Sequence, residues 1–237
     1  MEQKAIWLLP TQEQTFRHEW KHVINYCDYL ILRNRLQVIA KQDYHVREDG
    51  TYQIRSLYFD NLDDKVLLEK LNGYNRREKF RIRYYNGDTS FIRLEKKSKI
   101  NGLCSKVSAS ITSEQCERLL NNDTLWMKVS DNPLFVELYA KMMYQQLRPK
   151  VLVDYVREPY IYEAGNVRVT IDTQIKTGLY NQNLFDTESI SVEVPDNQII
   201  LEVKYDSFLP EVIQNAVRLN DRRGTSYSKY AACRMYG

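Results

Sequence analysis

Residues 78–99 read EKFRIRYYNGDTSFIRLEKKSK, and the alternation within them decides what kind of sheet the chain builds. In a strand, every second side chain shares a face. Arg77, Lys79, Arg81 and Arg83 therefore point one way, and Phe80, Ile82 and Tyr84 point the other. Asn86-Gly87 is a hairpin signal, after which Arg93, Glu95 and Lys97 share one face and Ile92 and Leu94 the other. The expected hairpin has one strongly cationic face. A solvated hairpin face normally mixes signs or uses uncharged polar residues, because like charges directly opposite one another repel. Six Lys or Arg against the single Glu95 ask for an anion.

Composition limits what that anion is. The net charge of the 237 residues is only +3, so a general nucleic-acid coat is not expected and any cationic function must come from concentrating Lys and Arg in one place. At 43% hydrophobic the chain can bury a core, and 18 Tyr against 8 Gly and 6 Pro favour strands over disorder. The opening MEQKAIWLLPTQEQ has too short an apolar run for a signal peptide, and no segment approaches the roughly 20 apolar residues of a membrane span. Cys27, Cys104, Cys116 and Cys233 form no CxxC pair, which argues against a disulfide framework or structural zinc. The expectation is a soluble, cytoplasmic protein.

Working outward from the hairpin, the same strand type recurs. Thr15–Ile24 reads as a strand with Arg17, Glu19 and Lys21 on one face, followed by Asn25 as N-cap of a helix through YCDYLILRNRLQVI. Tyr52–Asp60 is strand-like, and Asn61–Leu71 reads as a short helix closed by Asn72-Gly73. NGLCSKVSASIT gives a turn and a strand carrying Lys106, and helices are expected over Ser113–Leu120 and Pro133–Leu147. KVLVDYVREPYIY, VRVTIDTQI and IILEVKY read as further strands, the second with Arg168, Thr170 and Asp172 on one face and the third with Glu202 and Lys204 together. A loop-rich insert is expected near Gly178–Glu188, a helix near Leu209–Leu219, and a terminal stretch TSYSKYAACRMY. So many charged strand faces cannot all meet bulk water in a chain of this size. A barrel whose charged faces line a wet interior, with apolar faces packed outward under helices, resolves this. The expected class is α+β: an antiparallel β-barrel tunnel with a charged lumen, flanked by helices, as one domain over residues 1–237.

In this order the segments resemble the catalytic domain of the vacuolar transporter chaperone (VTC) family, polyphosphate polymerases of the CYTH-like triphosphate tunnel metalloenzyme superfamily. FRHEWKHVI is similar to that family's first tunnel strand, with Glu19 and Lys21 in its Glu-x-Lys positions, and RSLYFDN to its second-strand signature. FRIRYYN supplies the paired arginines Arg81 and Arg83, LEKKSK gives Glu95 and Lys97, and NGLCSK delivers Lys106. YVREPY and VRVTIDTQI match the strands bearing Arg157 and Arg168, then Asp172, while LEVKY places Glu202 beside Lys204 and SYSKYA gives the late lysine, Lys229. The chain departs from the wider superfamily where Glu-x-Glu-x-Lys is expected and Arg17-His18-Glu19-Trp20-Lys21 stands instead, and His22 replaces a usual tyrosine.

The resemblance implies phosphate binding by Lys21, Arg81, Arg83, Lys97, Lys106, Arg157, Arg168, Lys204 and Lys229. Arg forks and Lys ammonium groups suit phosphate oxygens. Of these, Lys21, Arg81, Arg83 and Lys97 are expected to act in catalysis with Glu202, the implied ligand of Mn²⁺ or Mg²⁺. Glu19 and Glu95 are read as partners that orient neighbouring cations, Asp172 is left open, and His18, His22 and His45 are read as packing or surface residues. The implied reaction moves the terminal phosphoryl group of ATP onto polyphosphate, with no protein nucleophile and no nucleic-acid or membrane partner. The lost first carboxylate counts against a tunnel triphosphatase, and retention of Glu202 counts against a non-catalytic module binding polyphosphate or inositol phosphates. No GxxxxGK[ST] loop is present.

Overall fold

A computed structural model describes residues 16–219 and 222–235. The strands are β1 (His18–Ile24), β2 (Lys41–Gln42), β3 (Tyr52–Asp60), β4 (Arg76–Tyr85), β5 (Asp88–Ile100), β6 (Leu103–Ile111), β7 (Arg148–Tyr162), β8 (Val167–Thr177), β9 (Val192–Glu193) and β10 (Ile199–Tyr205). They pair antiparallel in the order β1-β10-β8-β7-β3-β4-β5-β6, with the two-residue β2 and β9 added to β7 and β8. The β4–β5 hairpin turns at Asn86-Gly87 as the sequence predicts, both residues having positive φ. Its register sets Arg81 opposite Glu95, Lys79 opposite Lys97 and Arg83 opposite Arg93. The expected barrel takes the form of a curled sheet. Its edge strands meet at one bridge, where the backbones of Arg17 and Cys104 exchange hydrogen bonds of 3.0 and 3.2 Å, and not along a full ladder.

Helices cover the outer faces. α1 (Tyr26–Ile39) starts with a capping box: Asn25 Oδ1 accepts from the Asp28 N–H at 2.8 Å, and the Asp28 carboxylate accepts from the Asn25 N–H at 3.1 Å. α2 spans Lys65–Leu71, beginning later than the sequence suggests. The Asp60 carboxylate reaches forward to accept from the Val66 and Leu67 N–H groups, and Asp64 takes a left-handed conformation, so the chain turns before it coils. α3 (Ser113–Leu120) agrees with expectation, a short α4 (Leu125–Lys128) follows, and α5 (Pro133–Tyr144) ends early because Gln146 has a φ of 55°. α6 is confined to Glu211–Val217, and the terminal stretch coils as α7 (Lys229–Met235). The expected strand start at Thr15 and the opening residues read for a signal peptide lie outside the described residues.

Three buried clusters show how the sheet divides its faces. Leu57, Phe80, Ile82 and Leu94 pack outward under α3–α5, and Val169, Ile171, Leu201 and Val203 pack outward under α1 and α6. The third cluster lies on the inner face. Ile54, Val151, Val153 and Ile200 meet Tyr230 and Cys233 of α7 there. The charged lumen therefore shares the inner surface with an apolar end closed by α7, a division that strand alternation cannot reveal.

Candidate functional site

At the seam, pairing register builds a checkerboard of charge. Lys21 stands opposite Glu202, and Glu19 opposite Lys204. Lys21 Nζ lies 2.8 Å from Glu19 and 3.0 Å from Glu202, Lys204 pairs with the other Glu202 oxygen, and Lys97 reaches across from β5 to Glu19 at 2.5 Å. Burial opposes charge on Glu202, yet Lys204, Lys21, Lys97 and Arg157 outweigh it and hold the carboxyl well below its usual range. Glu19 is lowered in the same way, against burial and the Glu202 charge, by Lys21, Lys97 and Lys204. For Lys204 burial wins, and its pKa falls to about 8.

On β4, Arg81 and Arg83 are organised by buried groups. Arg81 donates to Glu95 at 2.6 and 2.7 Å and to the Tyr58 hydroxyl at 2.8 Å. Arg83 donates to Ser56 at 3.0 Å and to the Tyr155 hydroxyl at 2.7 Å, with Glu95 3.8 Å away. Lys106, largely exposed on β6, meets the other Glu95 oxygen at 3.2 Å. Glu95, 2% exposed, thus serves three cations, which together overcome its burial and keep it ionised. Lys79 follows on the same strand, 5.2 Å from the Tyr58 ring centroid.

Where β7, β8 and α7 meet, Arg157 forks onto Asp172 at 2.6 and 2.8 Å, and Lys229 joins the same carboxylate at 2.5 Å. Asp172 is fully buried, and these two cations carry its pKa down to about 2 against the cost of burial. Arg168 is half-buried and donates to Asp43 and to the Tyr52 hydroxyl. All nine cations expected from the sequence thus lie on one inner surface, though Lys106 and Arg168 lie towards its margins. His18 stacks on Tyr205 and His45 packs on Tyr44.

Sequence reasoning missed several members. Lys79 was visible in the alternating pattern but matched no motif. Tyr58, Tyr155 and Tyr52, whose hydroxyls accept from arginines, carried no signal that separates a luminal tyrosine from a core one. The cavity of about 90 Å³ at the seam is lined by Glu19, Lys21, Lys79, Lys97, Lys99 and Ser228 among others, with the stretch from Thr225 to Ser228 forming one wall. A water takes about 10–15 Å³ on that measure, so a phosphate group fits.

Among the described residues at least eleven cations, Lys79, Lys99 and the nine above, share this surface with the carboxylates of Glu19, Asp43, Glu95, Asp172 and Glu202. For a divalent ion, no group of three or more His, Cys, Asp or Glu side chains is assembled among the described residues. Mg²⁺ and Mn²⁺ are, however, commonly held by one or two carboxylates with phosphate oxygens and water. Glu202 beside Glu19 fits that partial set. Thr170, opposite Glu202 and 2% exposed, adds a buried hydroxyl oxygen that has no hydrogen-bond partner among the described residues.

Comparison with solved structures supports the fold. HpAC1 from Hippeastrum, an adenylyl cyclase-type protein described as having a dominant triphosphatase activity, superposes with a TM-score of 0.59 at 13% identity over 93% of this chain and 96% of its own. An adenylate cyclase-type protein (bh2851) from Bacillus halodurans gives 0.52 at 12% identity over 82% of each chain. No curated protein matches the sequence. The family model described as the VTC domain matches residues 16–236, and the chain belongs to that family.

Proposed function

We propose that the chain is a polyphosphate polymerase-like phosphotransferase, moving the terminal phosphoryl group of ATP onto a polyphosphate acceptor in the basic tunnel. The observation that carries this reading is the excess of luminal cations over carboxylates. Facing ammonium and guanidinium groups in a partly buried space repel unless an anion enters, and a triphosphate supplies several charges with oxygens suited to Arg forks. Arg81 and Arg83, already aimed by Glu95, Ser56, Tyr58 and Tyr155, are the pre-oriented pair for the transferring phosphoryl group. Lys21 and Lys97 line the adjoining cavity and hold the neighbouring phosphates in line. An Mn²⁺ or Mg²⁺ ion held by Glu202, with Glu19 and Thr170 nearby, would neutralise charge on the phosphate oxygens. No side-chain nucleophile is needed, because the acceptor phosphate is itself the nucleophile.

A second reading, hydrolysis of inorganic or nucleoside triphosphates, is favoured by the apolar inner end under α7, which leaves less of the tunnel wall suited to a long polyanion. The fold likeness to HpAC1, described as a triphosphatase, fits it as well. The test is to incubate the purified protein with ATP and Mn²⁺ and to resolve phosphate products by length, alongside Glu202→Gln. Long chains from the wild type, none from the variant, and unchanged or tighter calorimetric binding of tripolyphosphate by the variant are expected. Orthophosphate alone would replace the polymerase with the hydrolase. Neither product across several metals would leave a polyphosphate-binding module.

A further inference from the structure

Lys79 differs from Lys21, Arg81 and Lys97 in what surrounds it. It shares the inner face of β4 with Arg81, yet no carboxylate lies within ion-pair distance of it among the described residues. Its Nζ meets Ser228 Oγ at 3.5 Å and faces the Tyr58 ring. Around it stand Tyr58 from β3, Arg81 from its own strand, Lys97 from β5 and Lys21 from β1, with Lys70 of α2 and Glu19 of β1 lining the same cavity. Glu19 makes no ion pair with it; its two oxygens meet Lys21 and Lys97 instead. Burial, followed by the charges of Lys97, Lys21 and Arg81, disfavours the ammonium form. Tyr58 offsets this only in part, and the pKa falls to about 7. Lys97 must loosen a carboxylate to meet an anion. Lys79 has none to displace.

We propose that Lys79 is a phosphate-binding residue that takes up a proton from solvent as a triphosphate or polyphosphate enters, the phosphate oxygens supplying the counter-charge that the protein withholds. The inference rests on the reading of the tunnel as a triphosphate site. Binding then favours the protonated amine, so affinity rises as pH falls from above 8 towards 7 and levels off below the amine's pKa in the empty tunnel.

The test is calorimetry of tripolyphosphate binding without metal at pH 7.5, in two buffers of different ionisation enthalpy, for wild type, Lys79→Arg and Lys79→Met. The heat difference between buffers counts protons taken up, and protons lost by the ligand cancel between variants. Arginine stays charged in both states, so Lys79→Arg binds within about threefold of wild type while taking up fewer protons, by about half a proton or more. Lys79→Met loses about tenfold or more in affinity. Equal proton counts for wild type and Lys79→Arg overturn the proposal, as does wild-type affinity in Lys79→Met. Absence of any tripolyphosphate binding by the wild type overturns the triphosphate reading itself, a result distinct from binding without proton uptake. Circular dichroism confirms that each variant folds, and Lys79→Arg alone carries the test if Lys79→Met does not.

Discussion

Replacing Asp172 with Asn should be among the most damaging single changes to stability on the inner surface. The carboxylate is fully buried and accepts three short hydrogen bonds, two from Arg157 and one from Lys229, tying β7, β8 and α7 together. Asparagine keeps the shape but removes the charge, leaving Arg157 and Lys229 buried without a counter-ion. Breaking a buried pair in that way costs about 3–5 kcal/mol. A second estimate comes from titration. A carboxyl whose pKa falls from 3.8 unfolded to about 2 folded contributes about 2–3 kcal/mol of stability when ionised. Because the folded value is the lower one, that contribution is present above pH 3.8 and is lost as pH falls towards 2. Urea unfolding of wild type and Asp172→Asn at fixed salt, from pH 7 down to pH 2.5, measures both quantities. The gap at pH 7 should be about 3–5 kcal/mol and should narrow by about 1.5 kcal/mol between pH 5 and the lowest point. A gap under about 1 kcal/mol at pH 7, or one that stays constant into acid, would refute the view that this carboxylate neutralises the two cations in the folded state.

Arg81→Ala and Arg83→Ala should each weaken tripolyphosphate binding by about 1.5–3 kcal/mol in calorimetry at fixed salt. Arg83→Ala should also lower stability, since it strips a donor from Ser56 and Tyr155 in a buried position; unchanged affinity in the double variant would return the hairpin to an ordinary solvated face. Tripolyphosphate affinity should fall as sodium chloride rises from 50 to 300 mM, since exposed luminal cations are screened within about 10 Å at 0.1 M, and salt-independent binding would contradict the electrostatic account. Asn25→Ala removes the α1 capping box and should cost about 1 kcal/mol in thermal unfolding while leaving tripolyphosphate affinity unchanged, because α1 packs on the outer face.

The sequence by itself determined the eight longer strands, which side of each carries charge, and where the principal hairpin turns. These are local properties: alternation has a period of two, Asn86-Gly87 accepts positive φ, and Asn25 with Asp28 closes a cap within four residues. Recurring charged faces also implied an enclosed anion site, because repulsion among so many cations has few other remedies. Tertiary structure alone decided which cation received which partner. Lys79 and Lys97 are directly opposite one another in the hairpin, yet Lys97 gains Glu19 because the curled sheet brings β1 against β6, within reach of the Lys97 side chain on β5, while among the described residues Lys79 gains only Ser228 and an aromatic face. Asp172, undecided from sequence, became the anchor of Lys229 from a helix 57 residues away. The apolar inner end under α7 was likewise invisible, since Val151 and Val153 alternate as core residues do whichever side of the sheet the core occupies. Alternation assigns residues to faces, and only closure of the sheet decides what each face encloses.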